Sequence, residues 1–358
     1  MTTRTGTEVE TSGTIPPALV GKGGGGPRAP RRPAPPNPAA PDGLLVVDKP
    51  QGMTSHDVVS RVRRLAHTRK VGHAGTLDPM ATGVLVVGIG QATRLLTWVS
   101  GHDKAYEATV RLGIATTTDD AEGEVLASPG CTTLTAGRLE EALAPLRGEI
   151  WQVPSSVSAV KIDGKRAYAR VRQGETVEIP ARRVRVGRLD LLAPPRPGQA
   201  AGADGVPTDV VDVDVHVECS SGTYVRALAR DLGEALGCGA HLTALRRSRV
   251  GTFTLGAAHP LDALERSAED GEVLPVVPLD DAVRALFPVL VLDAEEAGRF
   301  AHGQAPRRDA AQVEALSAAA GEGPLAVLDP DGVRVLGLAR VDEGAGTLRT
   351  VLVWGERP

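Results

Sequence analysis

The chain has 358 residues, of which 42% are hydrophobic and 3% aromatic, and its formal net charge is −4. This length exceeds one typical domain and leaves ample apolar material for a core. No run approaches the roughly 18 uninterrupted apolar residues of a membrane span, and the start lacks a signal-peptide layout. Three scattered cysteines form neither a metal-spaced pair nor a disulfide framework, so we expect reduced thiols in the cytoplasm.

Charge is distributed unevenly along the chain. From His259 onward there are 18 acidic and 9 basic residues, so the preceding part is net positive by 5. Its basic residues cluster around 61–70, 161–188 and 226–249. Clustered arginine is typical of a polyanion partner such as nucleic acid, because each neutralised phosphate releases counterions. Solvated helix faces would produce the same pattern.

Residues 1–41 contain the runs GKGGGG and RAPRRPAPPNPAAP. Such sequence cannot bury apolar surface, so a disordered tail is predicted, either a simple extension or an arm that contacts RNA. Order is expected to begin with a short apolar strand, LLVVDKP. Thr54 and Asp57 then have capping-box spacing before the helical stripe Val58, Val59, Val62 and Leu65.

The segment Gly72–Gly83, GHAGTLDPMATG, combines three glycines with a single acid, Asp78. Glycines permit tight turns and close approach of a ligand, and Pro79 biases Asp78 away from helix. The apolar run Val84–Ile89 follows. We predict a loop that leads into a buried strand and holds one carboxylate on a constrained backbone. An Asp-Pro pair of this kind also occurs in ordinary turns.

The next elements are a short helix from about 92 to 99 and a strand over 104–113, KAYEATVRLG. The alternation of that strand places Tyr106 on its apolar face, as a pocket residue or an ordinary half-buried tyrosine. A helix from Ala136 is expected to end near Pro145.

The stretch 151–162 is predicted to be extended, and Asp163-Gly164 is a hairpin-type turn before the basic segment KRAYARVR. The sequence PPRPGQAAGADGVP indicates a flexible surface insertion. It precedes the clearest strand of the chain, 208–219, in which valines alternate with polar residues.

A helix is predicted within SGTYVRALARDLGEALG, with Arg226 in its first turn. A cation there opposes the helix dipole, which predicts a nearby anion. Residues 260–283 indicate an acidic connector. From 289 a compact β-rich unit is expected, with a helix at 294–301 and apolar runs at 325–328, 333–339 and 350–354.

Five ordered segments between Asp42 and Phe253 closely resemble the TruB family of tRNA pseudouridine synthases. They are GLLVVDKPQGMTSHDVV, VGHAGTLDPMATGVLVVGIGQATR, KAYEATVRLG, SAVKIDGKRAYARVRQG and CSSGTYVRALARDLGEALGCGAHLTALRRSRVGTF. The C-terminal segment DAEEAGRFAHGQ is similar to the small PUA-type RNA-binding domain of these enzymes. The resemblance implies an α+β fold with a central mixed, largely antiparallel sheet. It divides the chain into a tail (1–41), a catalytic domain (42–258), an acidic connector (259–288) and a PUA-like domain (289–358).

The resemblance also implies an activity, the isomerisation of uridine 55 in the tRNA T-loop to pseudouridine. The base would be flipped out of the loop, and no cofactor or metal is required. By the family pattern Asp78 is the catalytic aspartate, paired with Arg226, and Tyr106 stacks on the base and is a candidate general base. Whether Asp78 attacks C1′ or C6, or supports a glycal route, stays open.

Further residues match family pocket positions. Tyr224 and Leu245 correspond to an aromatic and an apolar wall, and His73 to a histidine that helps to displace the base, although a structural turn residue would look the same. Phosphate or structural contacts are expected from Lys49, Lys161, Arg166, Arg246 and Arg247. Val157 departs from the family pattern, which commonly has a tyrosine there, so a hydroxyl contact at this position is in doubt.

The expected partner is the T-arm of tRNA. We expect no association with a membrane, no obligate protein partner, and a monomeric chain. Two other functions are compatible with the fold. One is a non-catalytic RNA-binding or tRNA-folding module, which would bind and anneal tRNA without modifying it. The other is a guide-RNA-directed relative that acts on ribosomal RNA with several partner proteins.

Overall fold

The structure is a computed structural model that describes residues 40–132, 134–155, 161–162, 165–166, 179–304 and 306–354. Almost all of the predicted tail lies outside the described residues, and so do Val157 and the turn at Asp163-Gly164. The described residues cluster as one compact unit.

The described residues form twenty strands. They are β1 Gly43–Lys49, β2 Val71–Ala74, β3 Thr82–Ile89, β4 Lys104–Leu112, β5 Ala115–Thr116, β6 Val125–Ala127, β7 Gly148–Gln152, β8 Lys161–Ile162, β9 Lys165–Arg166, β10 Arg182–Leu191, β11 Arg196–Ala201, β12 Pro207–Cys219, β13 Ala240–Val250, β14 Phe253–Thr254, β15 His259–Pro260, β16 Val277–Pro278, β17 Val289–Val291, β18 Leu325–Leu328, β19 Val335–Asp342 and β20 Thr347–Val353.

Eight α-helices accompany these strands in the part of the chain that the structure describes. They are α1 Ser55–Leu65, α2 Leu96–Gly101, α3 Ala136–Leu143, α4 Val225–Leu236, α5 Leu261–Glu269, α6 Leu279–Leu286, α7 Ala294–Ala301 and α8 Ala310–Ala320, with short 3₁₀ turns at 90–95, 144–146 and 255–257. None of the described helices has the length and apolar character needed to cross a membrane.

A twelve-stranded mixed sheet forms the centre of the fold. Its main path runs β15-β1-β3-β13-β4-β12-β10-β7. Most neighbours are antiparallel, whereas β13 pairs with β3 in parallel and β1 with β15 in parallel. The predicted α+β class with a mixed, largely antiparallel sheet is therefore confirmed.

Sequence periodicity accounts for the central strands and for the first helix. In β12 the residues from Val211 to Cys219 at odd positions are buried, while the intervening polar residues keep partial exposure. Helix α1 begins with the predicted capping box, in which Thr54 and Asp57 satisfy each other's backbone N–H groups. The alternation and the cap thus predicted both elements correctly.

One segment is more ordered than its composition predicts. The expected flexible insertion forms β11, which pairs with β12 from Arg196↔Asp212 to Ala201↔Pro207, so that prediction is wrong. Backbone pairing along an edge tolerates glycine and proline that a central strand would not. The acidic stretch 259–288 contains α5 and α6, and its short strands β15 and β16 both pair with β1.

The C-terminal part forms a second sheet, β17-β18-β19-β20. The helix predicted at 294–301 is confirmed, whereas α8 was not predicted, because its alanine-rich sequence has no apolar stripe. One apolar cluster joins the two sheets, with Leu44 and Val86 from the central sheet and Leu338 and Trp354 from the second.

Gly83 lies at the closest approach between β3 and β13. Its φ is +100°, and a Cβ there would lie 2.2 Å from the carbonyl oxygen of Arg247. We expect Gly83→Ala to lower the free energy of unfolding by about 3 kcal/mol or more, because backbone strain and a clash with main chain add up. Urea unfolding measures this change. Gly101→Ala is the control, since a Cβ added there would have no atom within 4 Å, and a comparable loss would contradict the explanation.

Candidate active site

A cavity of about 270 Å³ opens where the loop between β2 and β3 meets strand β4 and the start of helix α4. Six of the residues predicted for a site line it: Asp78, Tyr106, Tyr224, Arg226, Leu245 and Arg247. The other lining residues are Gly75, Thr76, Leu77, Ser100, Lys104, Ser221, Gly222, Thr223 and Val225. We call this space the Asp78 cavity.

Buried side chains on both sides fix the loop that carries Asp78. Leu77 and Met80 are 3% and 5% exposed and anchor it in the core. The Ser55 hydroxyl, at the start of α1, accepts from the Leu77 N–H (2.8 Å) and donates to the Leu77 carbonyl (3.1 Å). The Lys49 ammonium donates to the carbonyls of Met53 (2.6 Å) and Pro79 (3.3 Å). The backbone around Asp78 is thus held from several directions.

The Asp78 carboxylate pairs with Arg226. Oδ2 lies 3.0 Å from Nε of Arg226, and the two side chains are 36% and 6% exposed. The same guanidinium lies 3.2 Å from Asp120 Oδ2 and donates to the Thr118 carbonyl at 2.8 Å. A cation in the first turn of α4 therefore has two carboxylate partners, and the more buried of them, Asp120, fixes the arginine from behind.

Opposing effects act on the charge of Asp78. Burial raises the pKa of the Asp78 carboxyl, and the nearby Asp120 charge raises it as well. The Arg226 charge and hydrogen bond lower the pKa, and Lys49 adds a smaller effect in the same direction. Burial is the larger influence, so the net pKa is above the ordinary value. The ion pair thus favours the ionised form of a partly buried carboxylate.

Tyr106 forms one wall of the cavity from strand β4. It is 7% exposed, and burial raises the pKa of its hydroxyl, while the charge and hydrogen bond of Arg247 oppose that shift. Leu245, also 7% exposed, lies on the adjacent strand β13 opposite Ala108. An aromatic ring beside an aliphatic side chain makes a wall suited to a planar base.

Tyr224 precedes helix α4, and its backbone is locked by an amide. The Gln152 side chain is fully buried, donates to the Tyr224 carbonyl (3.1 Å) and accepts from the Tyr224 N–H (2.8 Å). Strand β7 therefore fixes the tyrosine that closes the cavity.

Lys104 is a second buried cation of the Asp78 cavity. It is 7% exposed and donates to the carbonyls of Ser100 (2.9 Å) and His102 (2.8 Å). Burial lowers the pKa of Lys104 to about 8. Charge patterning did not distinguish this lysine, or Gln152 and Asp120, because only long-range packing brings them to the site.

His73 lies on β2 and is not among the residues that line the cavity. Its ring makes an edge contact with His56 at 5.5 Å between centroids. Burial, the His56 charge and the Arg247 charge lower the pKa of His73 to about 4. The imidazole is accordingly neutral near pH 7.

We expect the His73 ring resonance to titrate with a midpoint of about 4 when the pH is lowered in an NMR experiment. The folded state binds this proton less readily than the unfolded chain, so the contribution of His73 to the free energy of unfolding declines as the pH falls below about 6.5. Assignment uses His73→Gln, which removes one resonance. A midpoint near 6.5 would contradict the buried, neutral state.

The other predicted basic residues are not among the described residues that line the cavity. Lys49 is fully buried behind the loop, and burial lowers its pKa to about 8. Arg246 pairs with Asp48 at 2.7 Å, and it lines a different cavity from the one that Arg247 lines. The backbones of Lys161 and Arg166 pair as β8 and β9, and their side chains lie outside the described residues.

Two family models match the chain. Residues 63–225 match the TruB family pseudouridylate synthase (N terminal domain), and residues 226–286 match the tRNA pseudouridylate synthase B C-terminal domain. The curated relatives include a tRNA pseudouridine synthase B of an Arthrobacter species, 55% identical over 314 residues, with 87% of this chain and 96% of that one covered. A tRNA pseudouridine synthase B of Mycolicibacterium paratuberculosis is 52% identical, with coverage of 88% and 98%.

Solved structures show the same fold. A chain of a Cbf5-Nop10-Gar1 complex superposes with a TM-score of 0.59 at 24% identity, covering 88% of this chain and 84% of its own. A chain of an H/ACA RNP bound to a substrate RNA containing 2′-deoxyuridine superposes with a TM-score of 0.58 at 21% identity, with coverage of 91% and 93%. At these identities the likeness concerns the fold alone.

Proposed function

Since the chain belongs to the TruB family and is a tRNA pseudouridine synthase, we propose that it isomerises uridine 55 in the T-loop, with Asp78 as the catalytic carboxylate. The net reaction breaks the N1–C1′ bond and forms a C5–C1′ bond, while N1 gains a proton and C5 loses one. Uridine and pseudouridine have the same composition, so the detached uracil must be rejoined to the same ribose. The site must therefore hold the base while it turns.

One observation carries the assignment of Asp78. Its carboxylate lies 3.0 Å from the Arg226 guanidinium, at the edge of a cavity walled by Tyr106, Tyr224 and Leu245. Attack at C1′, attack at C6 and a glycal route all begin from the ionised carboxylate. Arg226 favours that form, and the aromatic walls favour a stacked, flipped base.

The remaining predicted residues receive the following proposed roles. Tyr106 stacks on the uracil, and His73, neutral and close to the loop, helps to displace the base. Lys49 holds the loop at Pro79 rather than touching the nucleotide. Arg246, Lys161 and Arg166 are proposed to contact phosphates, and residues 289–358 to act as a PUA-like RNA-binding domain.

The test is tritium release from a T-arm hairpin that contains [5-³H]uridine at position 55. The isolated chain is expected to release the label, and a hairpin with cytidine at position 55 and labelled uridine elsewhere is the matched control. Release from the control hairpin would reject the assignment of position 55.

Another function compatible with the sequence, a non-catalytic tRNA-folding module, is not supported by the curated relatives, which are synthases. It would bind and anneal the hairpin while the label stays in place. The Asp78–Arg226 pair favours catalysis, because a site that only binds RNA gains nothing from a carboxylate, which repels phosphates, in its cavity. We also propose that the chain acts as a monomer in the cytoplasm without an obligate protein partner. Activity of the isolated chain on bare tRNA tests whether a protein partner is required.

A further inference from the structure

We infer that Arg247 is a positioning residue for pseudouridine formation: its buried guanidinium holds both ends of the loop that carries Asp78. The inference rests on the proposed function, because it assigns to Arg247 the task of keeping Asp78 in reach of the substrate. The side chain is 1% exposed and lies at the base of the Asp78 cavity.

The hydrogen bonds of Arg247 bracket Asp78 in the sequence. Nη2 donates to the Gly75 carbonyl at 3.0 Å, and Nη1 donates weakly to the Thr76 carbonyl at 3.4 Å. Nε donates to the Val84 carbonyl at 2.8 Å, beyond the loop. One planar group thus fixes the separation of the two loop ends, which a single-point donor such as lysine cannot do.

The main chain of Arg247 reinforces this arrangement. Strand β13 runs between β3 and β4, where Arg247 pairs with Gly83 on one side and with Tyr106 on the other. The close approach requires glycine at 83, and the φ of Gly75, +81°, favours glycine at the other end of the loop, where Arg247 Nη1 is a near neighbour. The backbone of Arg247 therefore fixes the positions of both the loop end at Gly83 and Tyr106.

The electrostatic setting indicates a role beyond stability. Among the described residues, no carboxylate lies within ion-pair distance of Arg247, and the hydrogen bonds of its side chain go to carbonyls and to Tyr106. A buried cation without a counter-ion is unfavourable compared with an apolar side chain of similar size. Violations of this kind are expected at functional sites. The uncompensated positive charge of Arg247 makes the potential of the cavity more favourable for an anionic RNA.

The test is single-turnover kinetics on the T-arm hairpin with Arg247→Ala and Arg247→Lys. We expect Arg247→Ala to lower the rate of the chemical step about 10²-fold or more, because small misplacements of a reacting group are that costly. The Kd for the hairpin is expected to change less than about threefold, since binding contacts stay in place. Arg247→Lys keeps the charge and is expected to remain at least about tenfold slow.

Two readouts separate positioning from a merely structural role. Millimolar guanidinium is expected to raise the rate of Arg247→Ala by about tenfold, because it fills the vacated space with the same donors. Amide hydrogen exchange of residues 75–81 is expected to quicken in Arg247→Lys while the rest of the sheet is unchanged. Arg249→Ala, from the same strand but paired with Glu218 at 2.7 Å, is the control and is expected to keep the wild-type rate.

A folded Arg247→Lys chain with the wild-type rate and unchanged exchange at 75–81 would overturn the inference, and so would a loss confined to hairpin binding. Neither outcome depends on whether Arg247→Ala folds. Failure of the wild-type chain to form pseudouridine would instead overturn the proposed function. The two failures are thus distinguishable.

Discussion

Asp78→Asn is expected to lower the rate of tritium release from the T-arm hairpin by about 10⁴-fold or more, because an amide supplies neither a nucleophile nor a base. The amide has nearly the shape of the carboxylate, and Leu77 and Met80 still anchor the loop. The Kd for the hairpin is therefore expected to stay within about threefold of wild type. Single-turnover release and a filter-binding titration measure the two quantities separately.

Asp204→Asn provides the matched control, since it makes the same chemical change on an exposed turn of the β11–β12 hairpin. It is expected to leave both the rate and the Kd unchanged. Retained release in Asp78→Asn would end the assignment of Asp78, whatever the binding result. Lost binding with a lost rate would show that Asp78 holds the RNA rather than acting on it.

The second large effect concerns pH. Arg226 lowers the pKa of Asp78, whereas Asp120 raises it. Substitutions of these two residues are therefore expected to move the acid limb of the rate profile in opposite directions. Arg226→Ala raises the pKa of Asp78 further, which moves that limb to higher pH and lowers the rate near pH 7 by about 10²-fold or more. Asp120→Asn lowers the pKa of Asp78, so the limb moves to lower pH.

Single-turnover rates between pH 5 and 9 measure both displacements on the same hairpin. Arg226→Lys is the control that keeps the charge, and its acid limb is expected to lie closer to that of wild type. Loss of the arginine leaves Asp120 buried without its cation, so circular dichroism must accompany each rate. Folded variants whose acid limbs coincide with wild type would contradict the ion pair as the origin of the ionised carboxylate.

Local sequence signals account for much of the fold. The capping box at Thr54, the alternation of β4 and β12, and the apolar stripe of α4 each agree with the structure. These signals depend on neighbours within one turn or one strand, where periodicity is informative. A first-turn cation was also enough to predict an anion near Arg226, because the helix dipole makes such a residue unfavourable by itself.

The family motifs predicted the long-range Asp78–Arg226 pair, but long-range contacts outside those motifs had no signal in the sequence. Gln152 reaches Tyr224 across 72 positions, and Asp120 reaches Arg226 across more than a hundred, without any local pattern that marks them. Composition also misled at β11, where strand pairing with β12 orders a segment that is poor in apolar residues. The tertiary partner decided the structure there, not the local propensity.

The apolar cluster that joins the two sheets ties the fate of the C-terminal unit to that of the enzyme as a whole. The Trp354 ring packs in that cluster, with Arg94 from the 3₁₀ turn after β3 at 5.9 Å from its centroid, and Arg94 also donates to the Val353 carbonyl at 2.8 Å. Loss of the last strands, by proteolysis or by a premature stop codon, would expose the apolar face behind β1 and β3 to water. Such a surface promotes aggregation. A chain that ends too early would therefore leave one face of the central sheet, which carries the Asp78 loop, without its apolar cover.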